Sequence, residues 1–296
     1  CVSPLSLDAS EGENVLKVRS VDDVGNTDPS PVTVSWTLDT IFPVSEWVTR
    51  PPAHSNDTTV FASVETDEPV SGYECQLDEE DMACEASMEI SDLEHGDHNL
   101  RVWAIDFTGN KENEALYLYW YTDLESPITT IVTAPPLKTN LTYAEVRFTH
   151  DEPNTFYCKL DENAFAECAN QMTLEALSEG AHILSYHSED SVGNVSEVMS
   201  FEWTIDHQPP LTQWLQTPLS VNNDTTPLFT FAANEVSTYF CALDDVSPVS
   251  CTSPYEVTVS LEGERRFSVY AVDEAGNTES EPMVFVWVLD LQAPAM

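Results

Sequence analysis

The sequence predicts an all-β chain of tandem antiparallel β-sandwiches with about seven strands each, and three observations carry that prediction. The first is a repeated word: Gly25-Asn26, Gly109-Asn110, Gly193-Asn194 and Gly276-Asn277 stand 84, 84 and 83 residues apart, and Trp36, Trp120, Trp203 and Trp287 follow at 84, 83 and 84. The second is that the cysteines keep the same period, with Cys1, Cys84, Cys168 and Cys251 in one phase and Cys75, Cys158 and Cys241 in another. The third is alternation of apolar residues in short runs between turn residues, with no sustained helical period. Self-similarity at a fixed period means one module copied in tandem, and a period of about 83 residues sets the module's size.

The elements can be justified in order within the third repeat. Alternating runs cover residues 130–133, 143–148, 155–160, 172–177, 182–186 and 198–205. Pro135-Pro136, Asp151-Glu152-Pro153, Ser178-Glu179-Gly180 and Val192-Gly193-Asn194 separate them, all turn chemistry. Short strands with a turn every eight to twelve residues or so predict a small sandwich; a closed barrel is the alternative. Each repeat ends at a Trp-x-x-Asp, which predicts units at 1–42, 43–126, 127–209 and 210–296, the first only the C-terminal half of a repeat. The links Asp39 to Pro43, Asp123 to Pro127 and Asp206 to Pro210 are short and end in proline, so neighbours are expected to be held semi-rigidly.

Cysteines flank a short polar stretch in each complete repeat: Cys75 and Cys84, Cys158 and Cys168, Cys241 and Cys251. On adjacent antiparallel strands such pairs can bridge, and one isolated pair per repeat points to an oxidising, extracellular compartment. Zinc would need two close pairs or added histidines at ligand spacing. Cys1 has the phase of a second cysteine, so its partner is expected upstream and the chain is expected to begin inside a repeat. A lipid-modified terminal cysteine is the alternative.

The formal charge is −42, from 52 acidic and 10 basic side chains. Phosphate binding rests on clustered Lys and Arg, so nucleic acid is excluded as a partner and anionic membrane surfaces are disfavoured. No apolar run approaches the roughly 18 residues of a membrane span. With 42% hydrophobic and 10% aromatic residues the chain can still build cores.

Asp22, Asp106, Asp190 and Asp273 each stand three residues before a Gly-Asn glycine. Their plain role is structural: a carboxylate accepting backbone N–H groups while glycine supplies a positive φ makes a stable turn. Sandwich topology adds a second possibility, because the loop before the last strand and the loop between the second and third strands face the preceding linker. Asp39 would then meet Asp67, Glu68 and Asp106; Asp123 would meet Asp151, Glu152 and Asp190; Asp206 would meet Glu235 and Asp273. Ca²⁺, which takes six to eight oxygens, is the ion such sets suit. Asn56, Asn140, Asn194 and Asn223 head Asn-x-Ser/Thr sequons, three of them at one repeat position, which makes glycans the expectation in a eukaryotic host. The repeated tryptophans read as core packing, with carbohydrate stacking the alternative. No nucleophile elbow, Ser-His-Asp order or phosphate loop appears, so no enzyme is expected.

Phe156-Tyr157-Cys158-Lys159-Leu160-Asp161, Cys168, Gly180-Ala181-His182, Asp190-x-x-Gly193-Asn194 and Trp203-Thr204-Ile205-Asp206 resemble the immunoglobulin-like repeats of large extracellular proteins, found in bacterial adhesins, surface stalks and hyalin-type repeats. The turn departs from that pattern, with Glu79, Glu162 and Asp245 where glycine is usual. The resemblance implies a structural region of an extracellular filament or stalk, for example a surface or flagellar hair, whose partners are other copies or chains of the assembly. A ligand- or carbohydrate-binding adhesin module and the accessory domains of a secreted enzyme are the alternatives. An adhesin would carry a patch in one repeat that the others lack.

Overall fold

A computed structural model describes residues 4–293, and all regular structure among them is β. Cys1 and its expected upstream pairing lie outside the described residues. The chain divides into two compact units, Cys1–Glu125 with Val192–Asn194, and Ser126–Ser191 with Val195–Met296.

The first unit opens with the hairpin β1 (Gly12–Val18) and β2 (Val32–Leu38). It continues with β3 (Ser45–Thr49), β4 (His54–Ser55), β5 (Val60–Thr66), β6 (Val70–Leu77), β7 (Glu80–Met82), β8 (Ser87–Ile90), β9 (Gly96–Asp106) and β10 (Leu116–Thr122). These form a three-stranded sheet, β3-β5-β8, and a five-stranded one, β4-β10-β9-β6-β7, with only β4 and β10 parallel. Strand alternation explains the two layers. Val60, Ala62 and Val64 of β5 and Met88 and Ile90 of β8 point one way, and Cys75, Leu100, Val102, Leu118 and Trp120 of the other sheet meet them in one buried cluster. The Trp47 indole N–H crosses between the sheets to the Tyr117 carbonyl at 3.0 Å.

The second unit repeats this arrangement twice. Its first sandwich comprises β11 (Thr129–Thr133), β12 (Lys138–Thr139), β13 (Ala144–His150), β14 (Asn154–Leu160), β15 (Ala166–Cys168), β16 (Gln171–Leu174), β17 (Gly180–Asp190) and β18 (Met199–Ile205). Its second comprises β19 (Thr212–Gln216), β20 (Val221–Asn222), β21 (Leu228–Ala233), β22 (Ser237–Leu243), β23 (Val249–Cys251), β24 (Tyr255–Glu256), β25 (Gly263–Asp273) and β26 (Met283–Leu289). The sheet orders are β11-β13-β16 with β12-β18-β17-β14-β15, and β19-β21-β24 with β20-β26-β25-β22-β23. Ala144, Val146, Phe148, Leu184 and Trp203 centre one core, Phe229, Phe231, Phe267 and Trp287 the other.

The all-β sandwich reading holds, with eight strands per complete repeat where the sequence suggested about seven. The strands that periodicity missed, β12 and β15 in the third repeat, are two and three residues long, too short to display alternation. Each first strand also carries a bulge at one phase, between Trp47 and Thr49, Ile131 and Thr133, and Trp214 and Gln216.

Disulfides join Cys75 to Cys84, Cys158 to Cys168 and Cys241 to Cys251. Loops of this size restrict the unfolded chain enough to stabilise each sandwich by about 2–3 kcal/mol. Between the paired strands the turn is left-handed at aspartate, with φ of 49° at Asp78, 53° at Asp161 and 56° at Asp244. Aspartate tolerates that region better than most residues. Here its carboxylate also accepts a backbone N–H from Asn99, Ile183 or Arg266 and a side-chain contact from His98, His182 or Arg265. The turn is therefore tight without the usual following glycine.

Candidate functional site at the repeat joints

The Asp-x-x-Gly-Asn segment folds first as a local turn. Asp106 Oδ1 accepts the amides of Thr108, Gly109 and Asn110 at 2.8, 2.6 and 2.8 Å, and Gly109 supplies φ of 95°. Asp22 and Asp273 accept the amides of Asn26 and Asn277, each at 2.8 Å. The structural role given to these aspartates therefore describes what they do.

The asparagine reaches further than the turn. Asn110 Nδ2 donates to Asp106 Oδ2 at 2.7 Å and to the backbone carbonyl of the linker residue Asp39 at 3.1 Å. Asn277 Nδ2 donates to Asp273 Oδ2 at 2.9 Å and to the Asp206 carbonyl at 2.7 Å. Asn194, which belongs with the first unit, donates from Nδ2 to the Asp123 carbonyl at 2.9 Å. In each case the partner lies 71 residues upstream. At Asn110 and Asn277, within one unit each, one side chain thus fastens a turn of its own repeat to the linker that leads into it.

Other groups complete the joint. Linker carboxylates hold the chain two residues on: Asp39 Oδ1 accepts the Ile41 amide, Asp123 that of Glu125 and Asp206 that of Gln208, at 3.1, 3.2 and 2.9 Å. The amides of Val44, Ile128 and Leu211 donate to Asp67, Asp151 and Asn234 at 2.8, 2.9 and 2.7 Å. Because asparagine does in the last repeat what Asp67 and Asp151 do in the others, that position needs an acceptor and no charge, which weighs against its use as a metal ligand. Glu112 and Glu279 tie the turn to the entering strand, accepting the amides of Ser45 and Ala104, and of Thr212 and Ala271. The sequence reading missed these two glutamates, although both stand two residues after a repeated asparagine.

The acidic sets were expected at these joints. In the second unit Asp206, Glu235 and Asp273 each offer an oxygen within 4.8 Å of the others'. Burial, then repulsion from Asp206 and Asp273, raises the Glu235 pKa against the pull of Lys138. In the first unit burial, then Asp39, Asp106 and Asp67, raises that of Glu68. Asp123 belongs to the first unit, where its carboxylate lies 3.4 Å from His95. Asp151, Glu152 and Asp190 belong to the second, with Asp190 buried and Glu152 half-buried.

Opposite shifts give a signed pH prediction. A raised carboxyl binds its proton more tightly when folded, so ionising Glu68 costs the joint stability as pH climbs from the ordinary 4.5 through its folded value. Glu68→Gln should therefore melt above the parent chain at pH 7 and lose that advantage below about 4. Asp106 behaves inversely. Burial opposes its charge, but bonds from Asn110 and Thr108 prevail and hold it at about 2. Its contribution is present above 3.8 and lost as pH falls through about 2, and Asp106→Asn should remove that acid limb. Melting curves from pH 2 to 7 check both; parallel curves for parent and variants would refute them.

A second feature is confined to one repeat. Leu118 and Trp120 face the core, so alternation places Tyr117, Tyr119 and Tyr121 on the outer face of β10. Tyr117 and Tyr119 are 47% and 65% exposed, with rings parallel to 4°. Arg101 lies over Tyr117, and the Tyr121 hydroxyl meets His95 Nε2 at 3.0 Å. The matching positions are Ser200, Glu202 and Thr204 on β18, and Val284, Val286 and Val288 on β26. The signal for this stripe in the sequence is a tyrosine at every second residue of one last strand, a pattern distinct from turns and acidic clusters.

No family model matches the chain, and no curated protein matches it. Solved structures do. The chain is similar to the fibronectin(III)-like modules of Clostridium thermocellum CbhA, with 14% identity and a TM-score of 0.31 over 55% of this chain and 94% of that one. It is similar to the FN1-FN3 domains of chicken CNTN1, with 10% identity and a TM-score of 0.36 over 84% and 98%. A tetra-tandem repeat in the extending region of a large adhesion protein gives 13% identity and a TM-score of 0.33 over 95% and 82%.

Proposed function

We propose that the chain is a repeat region of a large extracellular or cell-surface protein, serving as a semi-rigid spacer whose sheet faces take lateral contacts from other copies or other chains. The observation that carries this reading is the asparagine-to-linker bond made at 71-residue separation by Asn110 and by Asn277, which stiffens the joint inside each unit beyond what a short proline-ended linker does. The three disulfides favour an oxidising compartment. A charge of −42 favours partners that are basic or that meet the chain through cations. For the joints themselves we propose Ca²⁺, since Asp206, Glu235 and Asp273 offer hard oxygen ligands and their mutual repulsion would be relieved by it.

Electron microscopy of native material, with melts of the isolated chain in calcium and in chelator, tests the reading. Regular side-by-side packing and a midpoint raised by calcium are expected. Isolated flexible strands would overturn the assembly role, and an unchanged midpoint the ion. The tyrosine stripe favours a second reading, a ligand-binding adhesin module, because it gives one repeat a patch that the others lack. Loss of partner binding on Tyr117→Ala with Tyr119→Ala, with lateral packing intact, would select it.

A further inference from the structure

The four sequons, three of them at one repeat position, are not equivalent in the fold. Asn194 closes one of the joint turns, and its Nδ2, the atom that would take a sugar, donates to the Asp123 carbonyl at 2.9 Å. At the matching Asn277 the same nitrogen makes two such bonds, one to the linker carbonyl and one to the turn aspartate, and at Asn110 the Thr108 hydroxyl is a third acceptor beside those two. An amide nitrogen has two hydrogens, so both are engaged there. N-glycosylation replaces one of them: a bond forms from Nδ2 to the anomeric carbon of a lipid-diphosphate-linked oligosaccharide, the carbon–oxygen bond to the diphosphate breaks, and the displaced proton leaves with the lipid diphosphate.

Asn140 is covered differently. Its backbone N–H donates to the Ala275 carbonyl at 3.1 Å, and its Nδ2 lies 3.7 Å from where a Cβ on Gly276 would stand. Lys138 Nζ holds Glu274 Oε2 at 2.6 Å beside it. Residues 274–276 of the last repeat therefore rest on the sequon, within one compact unit. Gly276, with φ of 94° and no side chain, lets the loop come this close. Asn56 shares the register and the half-burial of Asn140, whereas Asn223 at the same register is exposed.

Taking the chain as extracellular, we propose that a sugar at Asn140 and a closed joint between the last two repeats are mutually exclusive in this protein. A sugar at Asn140 holds that joint open, and molecules with it closed carry their sugar elsewhere, as at the exposed Asn223. The sequons are then a covalent control on spacer stiffness, set when the chain is secreted.

The test is the whole chain expressed in a secretory eukaryotic host, with glycopeptide mass spectrometry for occupancy at each site and amide exchange at residue 140, the donor to the Ala275 carbonyl. Molecules bearing sugar at Asn140 should exchange that amide at least about fivefold faster than molecules without it, the factor that loss of one ordinary hydrogen bond gives. Thr142→Ala, which removes that sequon, should give uniformly slow exchange. Glu274→Lys, which repels Lys138, should raise occupancy at Asn140 and leave Asn223 unchanged. Equal exchange with and without the sugar would overturn the proposal, as would unaltered occupancy in Glu274→Lys. Absence of sugar at all four sequons would overturn it too, while leaving the spacer reading intact.

Discussion

Phe267→Ala is expected to destabilise the last sandwich by about 3–5 kcal/mol. Phe267 on β25 is fully buried. Its ring centroid lies 4.4 Å from that of Phe229 on the facing sheet, 5.5 Å from Tyr255 and 6.0 Å from Trp214. Removing it opens a void between the two layers that rigid aromatic neighbours cannot collapse into, so the transfer and cavity penalties add. The matching residues are Leu100 and Leu184, which face Ala62 and Val146 where the last repeat has Phe229. Phe267→Leu therefore keeps most of the volume and should cost only about 1 kcal/mol. The three cores share no buried residue, so one free energy does not describe this chain. Amide exchange in denaturant resolves them: β25 should lose protection while β9 and β17 keep theirs. A loss of less than about 1.5 kcal/mol at β25 would refute the packing argument, and equal losses in all three strands would refute the independence of the cores.

Much of this architecture was legible because copying repeats the same physics. A period carried by Gly-Asn, by Trp and by cysteine cannot arise from local accident, and alternation over seven to eleven residues, as in β9 and β18, reads directly as a half-buried strand. Of the elements that escaped, β12 is fixed by a partner 66 residues on, at Lys138 and Thr204, whereas β15 pairs with its neighbour β14 and is simply too short to display alternation. The site divides in the same way. That Asp106 and Asp273 make turns follows from side chains accepting amides two to four residues away. That Asn110 and Asn277 bond a carbonyl 71 residues back does not, because the linker's position depends on how a preceding sandwich delivers it. Glu112 and Glu279 escaped for that reason as well, since their partners at Ser45 and Thr212 lie 67 residues away. The tyrosine stripe is the opposite case, a local pattern fully visible in Tyr117-Leu118-Tyr119-Trp120-Tyr121 whose meaning depended on knowing which face was outside.

Asn277→Ala should weaken the joint in the second unit by about 2 kcal/mol. The substitution leaves the Asp206 carbonyl and Asp273 Oδ2 without the donor each now has at 2.7 and 2.9 Å. Losing a hydrogen bond costs little when water replaces the partner and more when it cannot. Asp273 is buried, so replacement there is poor. Asn26 supplies the control: it makes the same contact to Asp22 Oδ2, at 2.8 Å, in an exposed turn. Asn26→Ala should therefore stay within about 0.5 kcal/mol of the parent chain. Asn277→Asp should be worse than alanine at pH 7, because it sets a carboxylate against Asp273 in a joint that already holds Asp206 and Glu235, and it should recover towards alanine when acid neutralises the set. Chemical denaturation of the three variants, followed by amide exchange at residues 273–279, measures all of this. Equal losses for Asn26→Ala and Asn277→Ala would mean that the bond to the linker contributes nothing, and stiffness would then have to come from the prolines alone.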